Sequence, residues 1–236
     1  VEGAKAVGEA LGSPYPLECL ICNRKGLDIA EGYADLLRSR ELPCFLVGDE
    51  VMNYLTTTVT PQGVMVVAPF IHLELEEFVS RVGGTVVMTD RVRDPGNLGN
   101  IVRAADAAGA GGVVVCREST DIYNPKTVRS TAGSLFHLPL CVGVELLAAA
   151  RRLKEAGYGL VVADPRRGRE MWSVNWPERT VLVLGNESWG IPEEDALEAD
   201  DMVRIPILGK AESLNVSAAA AVLLYEIART KGAGDG

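Results

Sequence analysis

The chain has 236 residues, 47% of them hydrophobic, which is enough for one large packed core or two small ones. No apolar run approaches the roughly 18–20 residues that a helix needs to cross a bilayer, so no membrane partner is expected. A formal charge of −9, from 23 Lys and Arg against 32 Asp and Glu, excludes any grip on a polyanion that relies on the field of the whole surface.

The chain opens at Val1 as though inside a strand, VEGAKAV, without an initiator Met or a basic leader, so N-terminal residues are expected to be missing from it. Ala4 to Leu11 reads as a helix, Leu17 to Cys22 as an apolar strand, Gly32 to Ser39 as a helix and Cys44 to Val47 as a strand. A short helical piece over Val51 to Leu55 and a β-branched strand over Gln62 to Ala68 complete a small α/β unit, residues 1–70. The acidic, amphipathic stretch Pro69 to Gly84 ends in Gly83-Gly84 and reads as a linker or short helix, assigned to 71–84.

From Thr85 a cleaner α/β alternation fills 85–236. Strands are predicted at Thr85–Thr89, Gly112–Cys116, Gly159–Ala163 and Thr180–Leu184, and helices at Asn97–Ala108, Leu146–Ala156 and Val216–Ala228. Strands that are apolar throughout and alternate with helices imply a parallel sheet covered on both faces. The five cysteines are scattered, and only Cys19-x-x-Cys22 has metal or redox spacing. That pair lies in an apolar run and lacks a second pair, so reduced core cysteines, a cytosolic setting and no metal are expected.

Four loops concentrate the residues that can do chemistry. Asp94-Pro95-Gly96-Asn97-Leu98-Gly99-Asn100-Ile101-Val102-Arg103 runs from a strand end into a helix, where glycines and free N–H groups let a ligand approach the backbone. It has neither a Gly-x-Gly-x-x-Gly turn nor a phosphate loop. Leu184-Gly185-Asn186-Glu187-Ser188-Trp189-Gly190-Ile191-Pro192 follows an apolar strand, at the end of a sheet where ligands bind; an ordinary connector with a solvated Glu187 fits its composition equally well. Trp189 reads as a base- or cofactor-facing aromatic or as a packing residue, with packing favoured. The segment Ile205 to Ser217 sets Ser213, Asn215 and Ser217 at a helix entrance, more small polar residues than one cap uses. Tyr123 to Ser134 is basic and small, suited to phosphate contact or to capping with solvated charges.

In this order and spacing the loops resemble the SpoU (TrmH-like) branch of the SPOUT methyltransferases, over Gly83 to Arg229. Asn97-x-Gly99-x-x-x-Arg103 is similar to that family's first motif, and Gly185-x-Glu187-x-x-Gly190 to its second. Ile205-Pro206 through Ser213-Leu214-Asn215-Val216-Ser217 is similar to the third, and Pro125-Lys126 to Arg129 to a Pro-Lys-x-x-Arg element. Residues 1–70 resemble the substrate-binding domain of ribosomal-RNA members.

The resemblance implies an α/β fold whose parallel sheet carries a deep trefoil knot, an exception to the rule against threaded chains. It implies methylation of a ribose 2′-hydroxyl in RNA, 23S ribosomal RNA foremost, with S-adenosylmethionine as cofactor and a homodimer as the working form. A transfer-RNA enzyme and a non-catalytic RNA-binding protein on the same fold are the alternatives. By carry-over Arg103, Asn97, Glu187, Ser213 and Asn215 are catalytic. Gly185, Asn186, Glu187, Gly190, Ile205, Ser213 and Leu214 would hold the cofactor, and a local patch of Arg91, Lys126 and Arg129 would hold RNA.

Overall fold

The computed structural model describes residues 1–192 and 198–232, arranged as two compact units. The parts of the predicted 85–236 domain at 193–197 and 233–236 lie outside the described residues.

The first unit comprises Val1–Ile71 together with Thr131–His137. Its elements are α1 (Ala4–Gly12), β1 (Cys19–Cys22), α2 (Leu27–Glu31), α3 (Ala34–Ser39), β2 (Cys44–Leu46), α4 (Asp49–Leu55) and β3 (Val64–Val67). Only Val1 and Glu2 behave as the strand that the opening residues suggested. The Val1 amino group donates to the Val66 carbonyl at 2.9 Å and Glu2 bridges Met65, before a helix takes over at Ala4. The helix predicted over 32–39 begins at Ala34, and a further short helix, α2, comes before it, separated by Gly32 and Tyr33. The sheet order is β2-β1-β3, with β1 parallel to β2 and antiparallel to β3. Cys44 is exposed on edge strand β2, which corrects the expectation of core cysteines there; Cys22, Cys116 and Cys141 are buried, and all five are free. The inserted segment buries Leu135 and Phe136, the latter 6.5 Å from the Tyr15 ring, and His137 Nε2 lies 3.2 Å from Glu9 Oε2.

The second unit runs from His72 to Ser130 and from Leu138 onward. It begins with α5 (Leu75–Arg81), the short helix that is one of the two readings of this stretch, so 71–84 is not a linker. Phe78 is fully buried and joins Val79 and Val82 in the core, because an amphipathic turn with aromatic and β-branched residues on one face finds a sheet to cover. Gly112 makes room for it: a Cβ there would meet the Phe78 ring at 2.8 Å.

There follow β4 (Thr85–Thr89), α6 (Pro95–Ala107), β5 (Gly112–Cys116), α7 (Pro125–Thr131), β6 (Leu140–Val144), α8 (Leu146–Glu155) and β7 (Gly159–Ala163). Then come β8 (Arg169–Glu170), β9 (Thr180–Leu184), β10 (Asp201–Arg204) and α9 (Val216–Thr230). All seven strands are parallel, in the order β6-β5-β4-β9-β7-β10-β8. β9 sits between β4 and β7, pairing Thr89 with Leu184, so the loops that leave those two strands start side by side. Every strand of a parallel sheet ends on the same edge, which gathers the loops after β4, β7, β9 and β10 there. Helix α9 lies along α6.

Candidate active site

The loop after β4 ends at Asp94, whose side chain caps α6. Its Oδ1 accepts the Asn97 N–H at 2.9 Å, and Pro95 takes the first helical position, where no N–H is needed. The other oxygen accepts Lys126 Nζ at 2.8 Å. The Lys126 ammonium, with the N–H groups of Asn97 and Gly96, holds the Asp94 carboxyl below its ordinary range.

That cap sets the first turn of α6 and with it the Asn97 side chain. Asn97 Nδ2 donates to Glu187 Oε1 at 3.1 Å, while its Oδ1 accepts Asn215 Nδ2 at 2.9 Å. Asn215 in turn caps α9, its Oδ1 accepting Ser217 N at 2.9 Å and Ser217 Oγ at 2.7 Å. One amide therefore ties together three loops that are far apart in sequence.

Glu187 stands on a hairpin closed by Asn186 and Gly190, which exchange backbone hydrogen bonds of 3.0 and 2.9 Å. Asn186 is buried; its Nδ2 donates to the Arg91 carbonyl at 2.8 Å and its Oδ1 accepts Ser188 N at 2.9 Å. Gly185 permits the closure, since a Cβ there would lie 2.4 Å from the Gly190 carbonyl carbon, and Gly190 itself has φ +75°. Besides Asn97, the Glu187 carboxylate accepts the N–H groups of Asp94 at 3.3 Å and Arg93 at 3.4 Å. Burial pushes the Glu187 carboxyl up, but the Asn97 amide and the backbone N–H groups outweigh it and hold the group below its ordinary value. At neutral pH it is an acceptor only.

The remaining predicted residues are arranged unevenly. Arg103 is exposed on α6 and makes no hydrogen bond or ion pair with any described residue. Six residues carry it roughly 240° around the helix from Asn97, so the amide does not orient it. Ser213 is exposed and outside the network, while Ile205 is half-buried and Leu214 exposed. In the expected RNA patch Arg91 pairs with Asp90 at 2.8 Å and with Glu118 at 3.4 Å, and Lys126 pairs with Asp94; Arg129 is exposed on α7. Trp189 is 58% exposed, which overturns its reading as a packing residue. Sequence reasoning gave no role to Asp94, although Asp-Pro before a helix is a capping signal. The Lys126 partnership, across 32 residues, had no such signal.

Among the described residues no group of three or more His, Cys, Asp and Glu side chains is arranged to hold a metal, and no helix is long and apolar enough to cross a membrane.

Residues 84–225 match the SpoU rRNA Methylase family. The chain belongs to that family. Residues 1–72 of this SpoU protein also match the family described as RNA 2′-O ribose methyltransferase substrate binding. It is 32% identical to the 23S rRNA (guanosine(2553)-2′-O)-methyltransferase RlmP of Bacillus subtilis, over 96% of this chain and 87% of the relative. It is 32% identical to the 23S rRNA (uridine(2479)-2′-O)-methyltransferase of Streptomyces viridochromogenes, over 98% and 82%. Among solved structures, the AdoMet-bound rRNA methyltransferase from Sinorhizobium meliloti superposes with a TM-score of 0.85 at 33% identity, covering 98% of this SpoU chain and 86% of that one.

Proposed function

We propose that this protein transfers the methyl group of S-adenosylmethionine to a ribose 2′-hydroxyl of RNA, with 23S ribosomal RNA as the substrate. The observation that carries the proposal is the Glu187–Asn97–Asn215 chain, which joins the three motif loops where parallel strands end. The relatives named above are 23S rRNA 2′-O-methyltransferases, and the substrate-binding match over 1–72 favours ribosomal over transfer RNA.

The residues fit the cofactor. The segment 205–214 supplies aliphatic side chains, among them Ile205 and the exposed Leu208 and Leu214, close in sequence to the Asn215 cap. An aliphatic wall with a few placed polar groups is what an adenosine needs, and Gly185, Asn186, Glu187, Gly190 and Ser213 complete the set on the hairpin and the third loop. Bound there, the cofactor supplies a methyl group activated by its sulfonium.

The chain's own residues supply alignment and charge stabilisation. The Arg103 guanidinium has no acidic partner among the described residues, so it is available to hold a phosphate and to stabilise the negative charge that develops on the 2′-oxygen as the hydroxyl proton leaves to solvent. Glu187, held as a weak base, fixes the Asn97 amide; Asn97 and Asn215 present an ordered polar wall to the ribose. No step is assigned to a metal. Arg129, exposed on α7, is the third member of the basic patch proposed for RNA contact, with Arg91 and Lys126 bracing the loops. We read the C-terminal part of the larger unit as carrying the family's trefoil knot and the active form as a cytoplasmic homodimer, for which the exposed Val222 and Tyr225 of α9 offer an apolar face.

Titration calorimetry with S-adenosylmethionine and S-adenosylhomocysteine tests the reading first: binding of neither removes it. Arg103→Ala is expected to keep cofactor binding and lose nearly all methylation of 23S rRNA; near-normal turnover would take Arg103 out of its role.

A further inference from the structure

Trp189 is the large aromatic residue nearest in sequence to the Glu187 network, and its indole makes no hydrogen bond or ring contact with any described residue. Its exposure is built in. The hairpin beneath it is closed by the Asn186–Gly190 pair, braced by Ser188 N on Asn186 Oδ1 and anchored by Asn186 Nδ2 on the Arg91 carbonyl. The position of the ring thus rests on bonds made by its neighbours, not on burial of its own surface. Two residues earlier the same turn presents Glu187 to Asn97.

The charges around these loops give such a ring a purpose. The protein carries a formal charge of −9, and the cations flanking the hairpin are partnered: Arg91 with Asp90 and Glu118, Arg93 with Glu118, Lys126 with Asp94. Counterion release, the usual source of affinity for RNA, is limited where carboxylates already neutralise the arginines and lysines. Stacking of a nucleobase on an aromatic face does not depend on the sign of the surrounding field, and single-stranded RNA offers unstacked bases for it. We propose that Trp189 is a stacking platform for an unpaired nucleobase of the RNA beside the methylated ribose, and so a determinant of substrate affinity; this rests on the methyltransferase reading above.

The test uses the full chain, S-adenosylmethionine and an unmodified 23S rRNA transcript. Trp189→Ala is expected to weaken RNA binding and raise KM for RNA by roughly 5- to 150-fold, the span covered by stacking one base, with kcat and cofactor affinity kept. Trp189→Phe should recover most of the loss. The slope of log affinity against log salt should stay as in the wild type, whereas loss of a phosphate contact would flatten it by about 0.7. In a Trp172→Phe background, RNA should quench indole fluorescence in a way that Trp189→Phe removes. Trp172→Phe alone should leave RNA affinity intact, since that indole, also exposed, is committed to Glu170 Oε2 at 2.9 Å.

Wild-type RNA affinity in Trp189→Ala overturns the assignment. So does a loss confined to S-adenosylmethionine binding, which would turn the ring toward the cofactor, or a change in oligomeric state, which would make it a subunit contact. Wild-type protein that binds neither cofactor nor RNA would instead bring down the methyltransferase reading, and the platform with it.

Discussion

Gly185→Ala asks whether the hairpin that carries Glu187 is as tight as its geometry implies. The added Cβ would stand 2.4 Å from the Gly190 carbonyl carbon, 2.6 Å from its oxygen and 2.7 Å from Ile191 N. All three are backbone atoms, so no flexible side chain can swing away. Relief requires the hairpin to open, which breaks the two Asn186–Gly190 backbone bonds at a net cost of about 1 kcal/mol each. Residual overpacking beneath a buried strand end adds roughly 1–3 kcal/mol. The loss of about 3–5 kcal/mol corresponds to a drop in Tm of roughly 6–20 °C for a chain of this size. If the hairpin gives way locally, the Tm falls less, but the Asn186 anchor and the bonds to Glu187 go with it, and cofactor affinity and turnover fall instead. Scanning calorimetry and cofactor titration on the same preparation separate the two routes. A variant with wild-type Tm, cofactor affinity and turnover would refute the reasoning outright.

Three further outcomes follow from particular contacts. Glu187 has a folded pKa below its ordinary one, so its contribution to stability is complete above the ordinary value and fades as pH falls through the lower folded value. The Tm gap between wild type and Glu187→Gln should therefore be widest at neutral pH and close as the pH falls below the ordinary carboxylate range; a gap that grows on acidification contradicts the assignment. Phe78→Ala should destabilise the larger unit by about 3–5 kcal/mol, read as lost hydrogen-exchange protection in β4 and β5, whereas a true linker would show almost no change. Lys126→Met should lower Tm only slightly, because the pair with Asp94 is about half exposed and worth at most ~1 kcal/mol, and added salt should narrow the difference.

Much of the larger unit was legible in the sequence because its central strands are buried on both faces. Thr85–Thr89, Gly112–Cys116, Gly159–Ala163 and Thr180–Leu184 read as unbroken apolar runs and have those same limits in the structure. The strands that escaped notice lie toward the edges of the sheet. Leu140–Val144 is interrupted by Gly143 with φ +77° and is only partly buried, and Asp201–Arg204 has a charged residue at each end. Among site residues, those joined by the network sat in loops whose order carried the family resemblance, yet nothing in the sequence said that Asn97 would touch both Glu187 and Asn215. Local rules describe caps and turns; they do not report which cations are neutralised by carboxylates many residues away. That is why Arg91 and Lys126 read as an open patch, and why an exposed Trp189 read as packing.

The seven residues Thr131–His137 belong with the first unit although the chain reaches them only after five elements of the second, α5, β4, α6, β5 and α7. During synthesis, therefore, the first seventy residues emerge without Leu135 and Phe136, and Tyr15 and Glu9 wait for partners more than a hundred positions downstream. The N-terminal unit cannot reach its final form as an independent early folder. Its completion is timed to the emergence of His137, when β4, α6 and β5 have already left the ribosome. Exchanging this unit between relatives by a single cut near residue 72 would leave a piece of it behind.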